Sequence, residues 1–575
     1  MGDPKQIPQL NIKATEQQTY DAIVIGSGIS GGWAAKELCE KGLKTLLLER
    51  GRNVEHVRDY TTAMLSPWDF PHHLAVSDAD REENHVQCKT YAYDEGTKPF
   101  FVNDKQHPYI QASPFHWIRG YQVGGRSLTW GRQSYRLSDL DFEANAKDGT
   151  GVDWPIRYAD LAPWYSYVER FAGISGQAEG LAHLPDGEFL PAMEMNIVEK
   201  HFKQEIHQKL GGRCVTMGRT ANLSKGWNDR GPCQYRNLCA RGCPFSGYFS
   251  SNAATIPAAK ATGNLTLRPF SIVKEIIYDA DKKRATGVRI VDMETKQTTE
   301  FYAKIIFLNA STIASASILL QSVSKAFPEG LGNGSGMIGK NLMDHHFRVG
   351  AGGAHTGFTD SYYKGRRPTG IYIPRFRNIS PETTRKDYLR GFGYQGGASR
   401  QGWEEMGASA AGFGKDFKNK MLQPGPWEMW ISAWGETLPN PENKITLSKD
   451  QKDAWGLPLV ETHFKFGENE KAMRKDMESA AVEMLEAAGF TAVKGFDYQT
   501  VGGDCVHEMG TARMGRDPKT SVLNKWNQLH EVQNVFVTDG SAMTSSACQN
   551  PSLTYMALTA RAADYAVSEL KKGNL

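Results

Sequence analysis

The run from Tyr20 to Gly51 packs an apolar strand, three spaced glycines, a helical stretch, a second apolar strand and an acid into one short unit. Ala22 to Ile25 read as a buried strand that feeds directly into Gly26, Gly28 and Gly31. A helix follows, then the apolar run Thr45 to Leu48, which ends at Glu49. This is the βαβ fingerprint of a dinucleotide-binding domain, with every part at its expected offset. Gly26 permits the tight turn, Gly28 lets backbone N–H groups approach a pyrophosphate, and Gly31 lets helix and strand pack closely. The helix N-terminus supplies partial positive charge for the phosphates. Glu49 would accept hydrogen bonds from the adenosine ribose. FAD and NAD both use this device, so the unit alone leaves the nucleotide open.

At 575 residues the chain exceeds what one hydrophobic core supports, which predicts two or more domains. The 67 basic and 64 acidic residues are well mixed and form no basic block, which argues against nucleic acid as a partner. No apolar run is long enough to span a membrane. Residues 1–18 are polar, without the apolar centre of a cleavable signal, and read as an extended arm. The 8 cysteines do not make a disulfide scaffold. Cys39, Cys88, Cys214, Cys505 and Cys548 are scattered, whereas Cys233, Cys239 and Cys243 share one short loop.

Further along, residues 52–110 lack periodicity and read as a loop-bearing excursion. A second glycine-rich turn, RGYQVGGRSLTWG, runs from Arg119 to Gly131. Helices are expected from Tyr158, over 196–211, over 311–322, over 467–489 with Gly489 as its cap, and from about Leu553 to Leu570. Residues 264–309 alternate in three runs that predict a β-meander, and residues 346–465 predict an antiparallel sheet. Val535 to Val537 read as a buried strand.

Four blocks together resemble the glucose–methanol–choline (GMC) family of flavoprotein oxidoreductases. They are the N-terminal fingerprint, RGYQVGGRSLTWG, GMIGKNLMDHH ending at His346, and the pair HEMGTARMG from His507 with NVFVTDGSAMTSSACQNPSLTYMALTARAADY from Asn534. The resemblance spans essentially the whole chain. It implies an α/β fold with a discontinuous, doubly wound FAD-binding domain (18–56, 112–150, 251–345 and 500–575). An antiparallel-sheet substrate domain is implied over 57–111, 151–250 and 346–499. Val123, Gly124 and Gly125 resemble a second pyrophosphate and flavin contact, Val273 the strand that meets the adenine, and Asp539 with Gly540 the ribityl and phosphate contact. Ser30, Arg50, Arg119, Asn550 and Pro551 join these as expected cofactor contacts. The family's second block often reads GGSS followed by Asn; Arg126 and Trp130 depart from it.

By the same resemblance, His507 is the expected base for a substrate hydroxyl, and Asn550, aimed by Pro551, the donor to its oxygen. Such oxidation sends the hydride of the same carbon to the flavin. His345 and His346 are expected only to line a turn near the flavin, and His72, His73 and His116 have no supporting pattern. Cys233, Cys239 and Cys243, with Pro244 after the last, resemble the iron–sulfur loop of bacterial FAD-dependent sugar dehydrogenases, where three cysteines hold a 3Fe–4S cluster. Zinc, a contribution from Cys214, and a loop of plain reduced cysteines are the competing readings. A cluster offers one-electron steps to a protein acceptor and so implies a dehydrogenase. The expected reaction is oxidation of a sugar or glycoside hydroxyl, at C3 by preference. C1 or C2 oxidation of glucose or gluconate, an O2-using oxidase, and an electron carrier without substrate chemistry are the alternatives. Trp403, Trp427, Trp430, Trp434 and Trp455 are candidates to stack on a pyranose. The resemblance further implies a small chaperone-like subunit that carries the export signal, a cytochrome c acceptor and a periplasmic location, with the cytoplasm as the alternative.

Overall fold

The computed structural model describes residues 19–359, 366–401, 412–423 and 425–575; the arm expected over 1–18 and Trp403 lie outside them. β1 (Thr19–Ile25) turns through Gly26 and Gly28 into α1 (Ile29–Glu40), and β2 (Thr45–Leu48) returns parallel to β1, with Leu48 opposite Ile25. Leu265–Arg268 pairs with β2, Thr298–Leu308 with β1, and Val535–Val537 with Thr298–Leu308, all in parallel. Ser271–Asp279 and Arg284–Asp292 complete this seven-stranded mixed sheet as an antiparallel flank. The first run of the expected meander is therefore two strands. Pro269 cannot donate to a ladder, and Phe270 adopts a left-handed φ of 54°, which turns the chain between Leu265–Arg268 and Ser271–Asp279.

Three further helices bear on the site: α2 (Thr312–Gln321), α3 (Glu468–Ala487) and α4 (Ser552–Lys571). Ala34, Ala35 and Leu38 of α1 meet Ala562, Ala563 and Val567 of α4 over Leu47 and Phe307 of the sheet. Small side chains on both helices let them sit close to each other and to the strands.

The second sheet has six strands, ordered Thr491–Asp497, His346–His355, Trp427–Gly435, Phe392–Arg400, Ile371–Ile373 and Thr216–Met217, and is antiparallel throughout. Its alternation divides the side chains cleanly. Met429, Ile431 and Ala433 pack with Met473, Met477 and Met484 of α3. Trp430, Ser432 and Trp434, on the opposite face, look into a cavity. Gly489 ends α3 at φ 79°, where Phe490 N–H donates to Leu485 O at 3.0 Å. Among the described residues no helix is long and apolar enough to cross a membrane.

Candidate active site

A cavity of about 1280 Å³ is walled by both sheets. At one end the glycine turn forms its floor. Gly26 has a left-handed φ of 93°, and a Cβ at Gly31 would lie 1.8 Å from Gly26 O, so both positions are closed to side chains. A Cβ at Gly28 would meet nothing within 4 Å, because Gly28 faces the open cavity. Beside it, at the start of α1, Ser30 Oγ is buried without a hydrogen-bond partner. Glu49 Oε2 accepts from Ser27 N at 3.1 Å and Oε1 from Gly51 N at 2.9 Å, and burial raises its pKa. An open cradle over Gly28, an orphaned hydroxyl and a fixed acid fit a dinucleotide.

The other expected cofactor contacts fall in two places. Arg50, Arg119, Val273, Gly125, Asp539, Gly540, Asn550 and Pro551 line the same cavity. Asp539 Oδ2 accepts from Ser311 N (3.0 Å) and Ser315 Oγ (2.6 Å), which ties the start of α2 to the end of strand Val535–Val537. Val123 and Gly124 instead lie behind the wall. Val123 is in the apolar core with Ala34 and Ile256, and Gly124 N donates to Ser27 Oγ at 2.9 Å. Arg50 stacks over Tyr121 and Trp455, at 4.7 and 5.4 Å from the ring centroids. Trp455 thus belongs to the Arg50 end, and Trp427, 1% exposed in the core, also borders the cavity. Trp430 and Trp434 line the cavity.

His507 and Asn550 come together on the cavity wall, with Asn550 Nδ2 3.3 Å from His507 Nε2. Gln395, from strand Phe392–Arg400, donates from Nε2 to Asn550 Oδ1 at 2.7 Å. The other ring nitrogen of His507 lies 2.9 Å from His345 Nδ1 and 3.3 Å from Cys505 Sγ. Asp344 pins the loop beneath, its carboxylate accepting from Gly503 N (2.8 Å), Cys505 N (3.2 Å) and His507 N (3.0 Å). Burial, with nearby Glu508, pushes the Asp344 carboxyl well up. Arg126, the departure in the second block, grips Glu508 through both oxygens at 2.6 and 3.3 Å. Burial, His345 and Arg126 together hold His507 well below the ordinary histidine range, so the ring is neutral and able to act as a base. His346, by contrast, is buried against Phe466 and does not reach the cavity.

The cysteine loop adjoins the same space through Tyr235 and Asn237, which line the cavity. Tyr235 N donates to Cys233 Sγ at 3.4 Å and Gly247 N to Cys243 Sγ at 3.3 Å. Tyr235, Asn237 and Ser246 all hold left-handed φ angles, a coiled backbone that the surroundings must enforce. Arg132 leaves Nε and Nη1 buried without partners, and its charge acts on Cys233. Cys214 pairs with none of these groups; its charged neighbours are Glu179, Lys203, Arg219 and Asp186, and burial raises its thiol to about 11.

A dinucleotide cradle, a neutral histidine and an amide on one cavity wall define a flavin-type oxidoreductase site, and the family comparison agrees. The GMC oxidoreductase models match residues 20–347 and 439–559. The chain belongs to the GMC oxidoreductase family, whose members bind FAD. It is 29% identical to 2-methyl-1,2-propanediol dehydrogenase of Mycolicibacterium austroafricanum, over 96% of each chain. It is 27% identical to the fructose dehydrogenase large subunit of Gluconobacter japonicus, over 97% of this chain and 100% of that one. The fold matches pyridoxine 4-oxidase of Mesorbium loti with a TM-score of 0.60 at 17% identity, over 95% of this chain and 98% of that one.

Proposed function

We propose that the protein is an FAD-dependent dehydrogenase that oxidises a secondary hydroxyl of a sugar or glycoside, with C3 favoured. The observation that carries this is the pairing of His507 Nε2 with Asn550 Nδ2 at 3.3 Å on the cavity wall. A hydroxyl oxygen in front of the pair, within hydrogen-bond reach of both nitrogens, would lose its proton to His507 and accept a hydrogen bond from Asn550. Gly28, Glu49 and Asp539 would hold FAD, which would supply the hydride acceptor. Trp430 and Trp434 flank the space left for substrate, with Ser432 and Gly397 leaving room beside them. Aromatic faces among small residues suit a pyranose. The named relatives, a diol dehydrogenase and a fructose dehydrogenase subunit, support a CH–OH donor of this kind.

We propose further that Cys233, Cys239 and Cys243 hold a 3Fe–4S cluster, which would supply a one-electron centre beside the cavity. Backbone N–H groups aimed at two of the sulfurs and the unpaired Nε and Nη1 of Arg132 suit an anionic thiolate cluster. A single zinc suits them less. Among the described residues, the set of metal-binding atoms all within 4.8 Å of one another is His345, Cys505 and His507, and the three sulfurs are not such a set. Hydrogen bonds to the His507 ring account for that histidine set.

Met64, Leu65, Trp68 and Phe245 are exposed near this loop, where Arg241 Nη1 donates to Leu65 O at 3.1 Å and Arg236 lies over the Phe245 ring. This face suits a cytochrome c acceptor. A signal-bearing small subunit and a periplasmic location complete the proposal; the relative named as a large subunit supports a multi-subunit assembly.

A panel of sugars assayed anaerobically with an artificial electron acceptor, with products identified by NMR, tests the reaction. A 3-keto product supports the reading; turnover of simple alcohols with none of sugars would overturn it. Iron and zinc analysis after anaerobic purification tests the cluster, and stoichiometric zinc without iron would remove it.

A further inference from the structure

His345 lines no part of the cavity, yet every hydrogen bond of the catalytic pair can be oriented from it. Its Nε2 lies 2.8 Å from Ala547 O and 3.3 Å from Ser546 O. Backbone carbonyls only accept, so Nε2 must carry the proton. The ring is fully buried, and burial lowers its pKa to about 4, so it is neutral. A neutral imidazole protonated at Nε2 has a bare lone pair at Nδ1. That lone pair faces His507 Nδ1 at 2.9 Å, and two bare lone pairs at that distance would repel. His507 Nδ1 must therefore be the donor. Cys505 offers a second acceptor at 3.3 Å, its sulfur in turn receiving a hydrogen bond from Trp434.

We infer that His345 is a positioning residue that holds His507 in its Nδ1–H tautomer and so leaves Nε2 without a proton on the cavity side. The hydrogen bonds then all run one way. Gln395 Nε2 donates to Asn550 Oδ1, Asn550 Nδ2 to His507 Nε2, His507 Nδ1 to His345, and His345 Nε2 to the carbonyls of the strand-to-helix loop before Pro551. Each link fixes the polarity of the next, starting from a group that cannot donate. When His507 gains the substrate proton at Nε2, the imidazolium keeps its Nδ1–H bond to a neutral acceptor. A carboxylate in that place would make the base stronger; the neutral imidazole orients it without trapping the proton. This inference rests on the reading of His507 as the base, but the tautomer exists with or without substrate.

Two substitutions separate orientation from packing. In H345Q the amide reaches the Nε2 position, so it keeps the bonds to Ala547 and Ser546 and loses the acceptor for His507. In H345N the amide oxygen takes the Nδ1 position and keeps that acceptor. Expected for H345Q is a kcat reduced on the order of 10²–10³-fold with KM changed less than about threefold, and for H345N a recovery of at least about tenfold. H345Q within about threefold of the parent, or equal losses in the two variants, would overturn the role.

Should either variant fail to fold, ¹⁵N NMR of the histidine-labelled holoenzyme, with His507 assigned by difference from H507N, reads the tautomer in the parent protein. A protonated Nδ1 and a bare Nε2 on His507 are expected. The reverse would overturn the inference even if sugar turnover holds, and loss of sugar turnover with the expected tautomer would count against the proposed substrate alone.

Discussion

His507 and the cysteine loop face one cavity but are completed differently. Both ring nitrogens of His507 and both ends of the Asn550 amide find partners on the chain itself. Beside the cysteines, Arg132 keeps two buried N–H groups with no partner, and at the glycine turn Ser30 Oγ does the same. A buried donor without an acceptor costs about 1–3 kcal/mol, so at both places the polypeptide leaves a bond unmade. The lesson is a division of labour. The His507–Asn550 pair is preorganised in the bare chain, whereas on the proposed reading the glycine turn and the cysteine loop complete their bonds through bound cofactors.

That contrast can be broken most severely at the cysteines. C239S should remove iron and abolish reduction of a cytochrome c, while bleaching of the flavin by substrate under anaerobic conditions persists. Loss of both together would mean that the two regions are not separable. At the preorganised site, H507A should bind FAD normally and lose about 10²–10⁴-fold in kcat, the usual worth of a positioned base. Retained activity within a few-fold would take His507 out of the chemistry. N550A should cost less, on the order of 10²–10³-fold, read in the same steady-state assay.

The glycine turn gives a sharper pair. A methyl at Gly31 meets Gly26 O at 1.8 Å, so G31A should lower stability by about 1–3 kcal/mol even without cofactor. At Gly28 the methyl enters open space, so G28A should leave the unfolding midpoint of the apoprotein unchanged and weaken FAD binding in a titration. Equal thermal shifts for the two would deny that Gly28 faces the ligand. The smallest effect concerns pH. A histidine with a lowered pKa is in its base form above that value, so the acid limb of kcat/KM should fall below the ordinary histidine value of about 6.5. A limb at or above that value would contradict the burial of the ring.

Much of this architecture is legible in the sequence because local rules govern it. The glycine spacing gives the βαβ turn, and small-residue or amphipathic periodicity gives α2, α3 and α4 within a residue or two. What escapes the sequence is set by contacts between distant segments. A left-handed Phe270 has no signature in a run of alternating residues, so two strands read as one. Trp455 looks like its neighbours in a tryptophan-rich tract until Arg50, some 400 positions earlier, claims it. His345 is visible as a letter in a block, but its role depends on carbonyls about 200 residues away. Gln395 sits in no motif, and only strand pairing brings it to Asn550.

One stopped-flow experiment tests the proposed reaction most directly: anaerobic mixing of holoenzyme with a glycoside while the flavin absorbance is followed. The parent should bleach in a single fast phase, H507A should bleach on the order of 10²–10⁴-fold more slowly, and C239S should bleach at the parent's rate. A parent that stays yellow with every sugar offered, or an H507A protein that bleaches as fast as the parent, would contradict it.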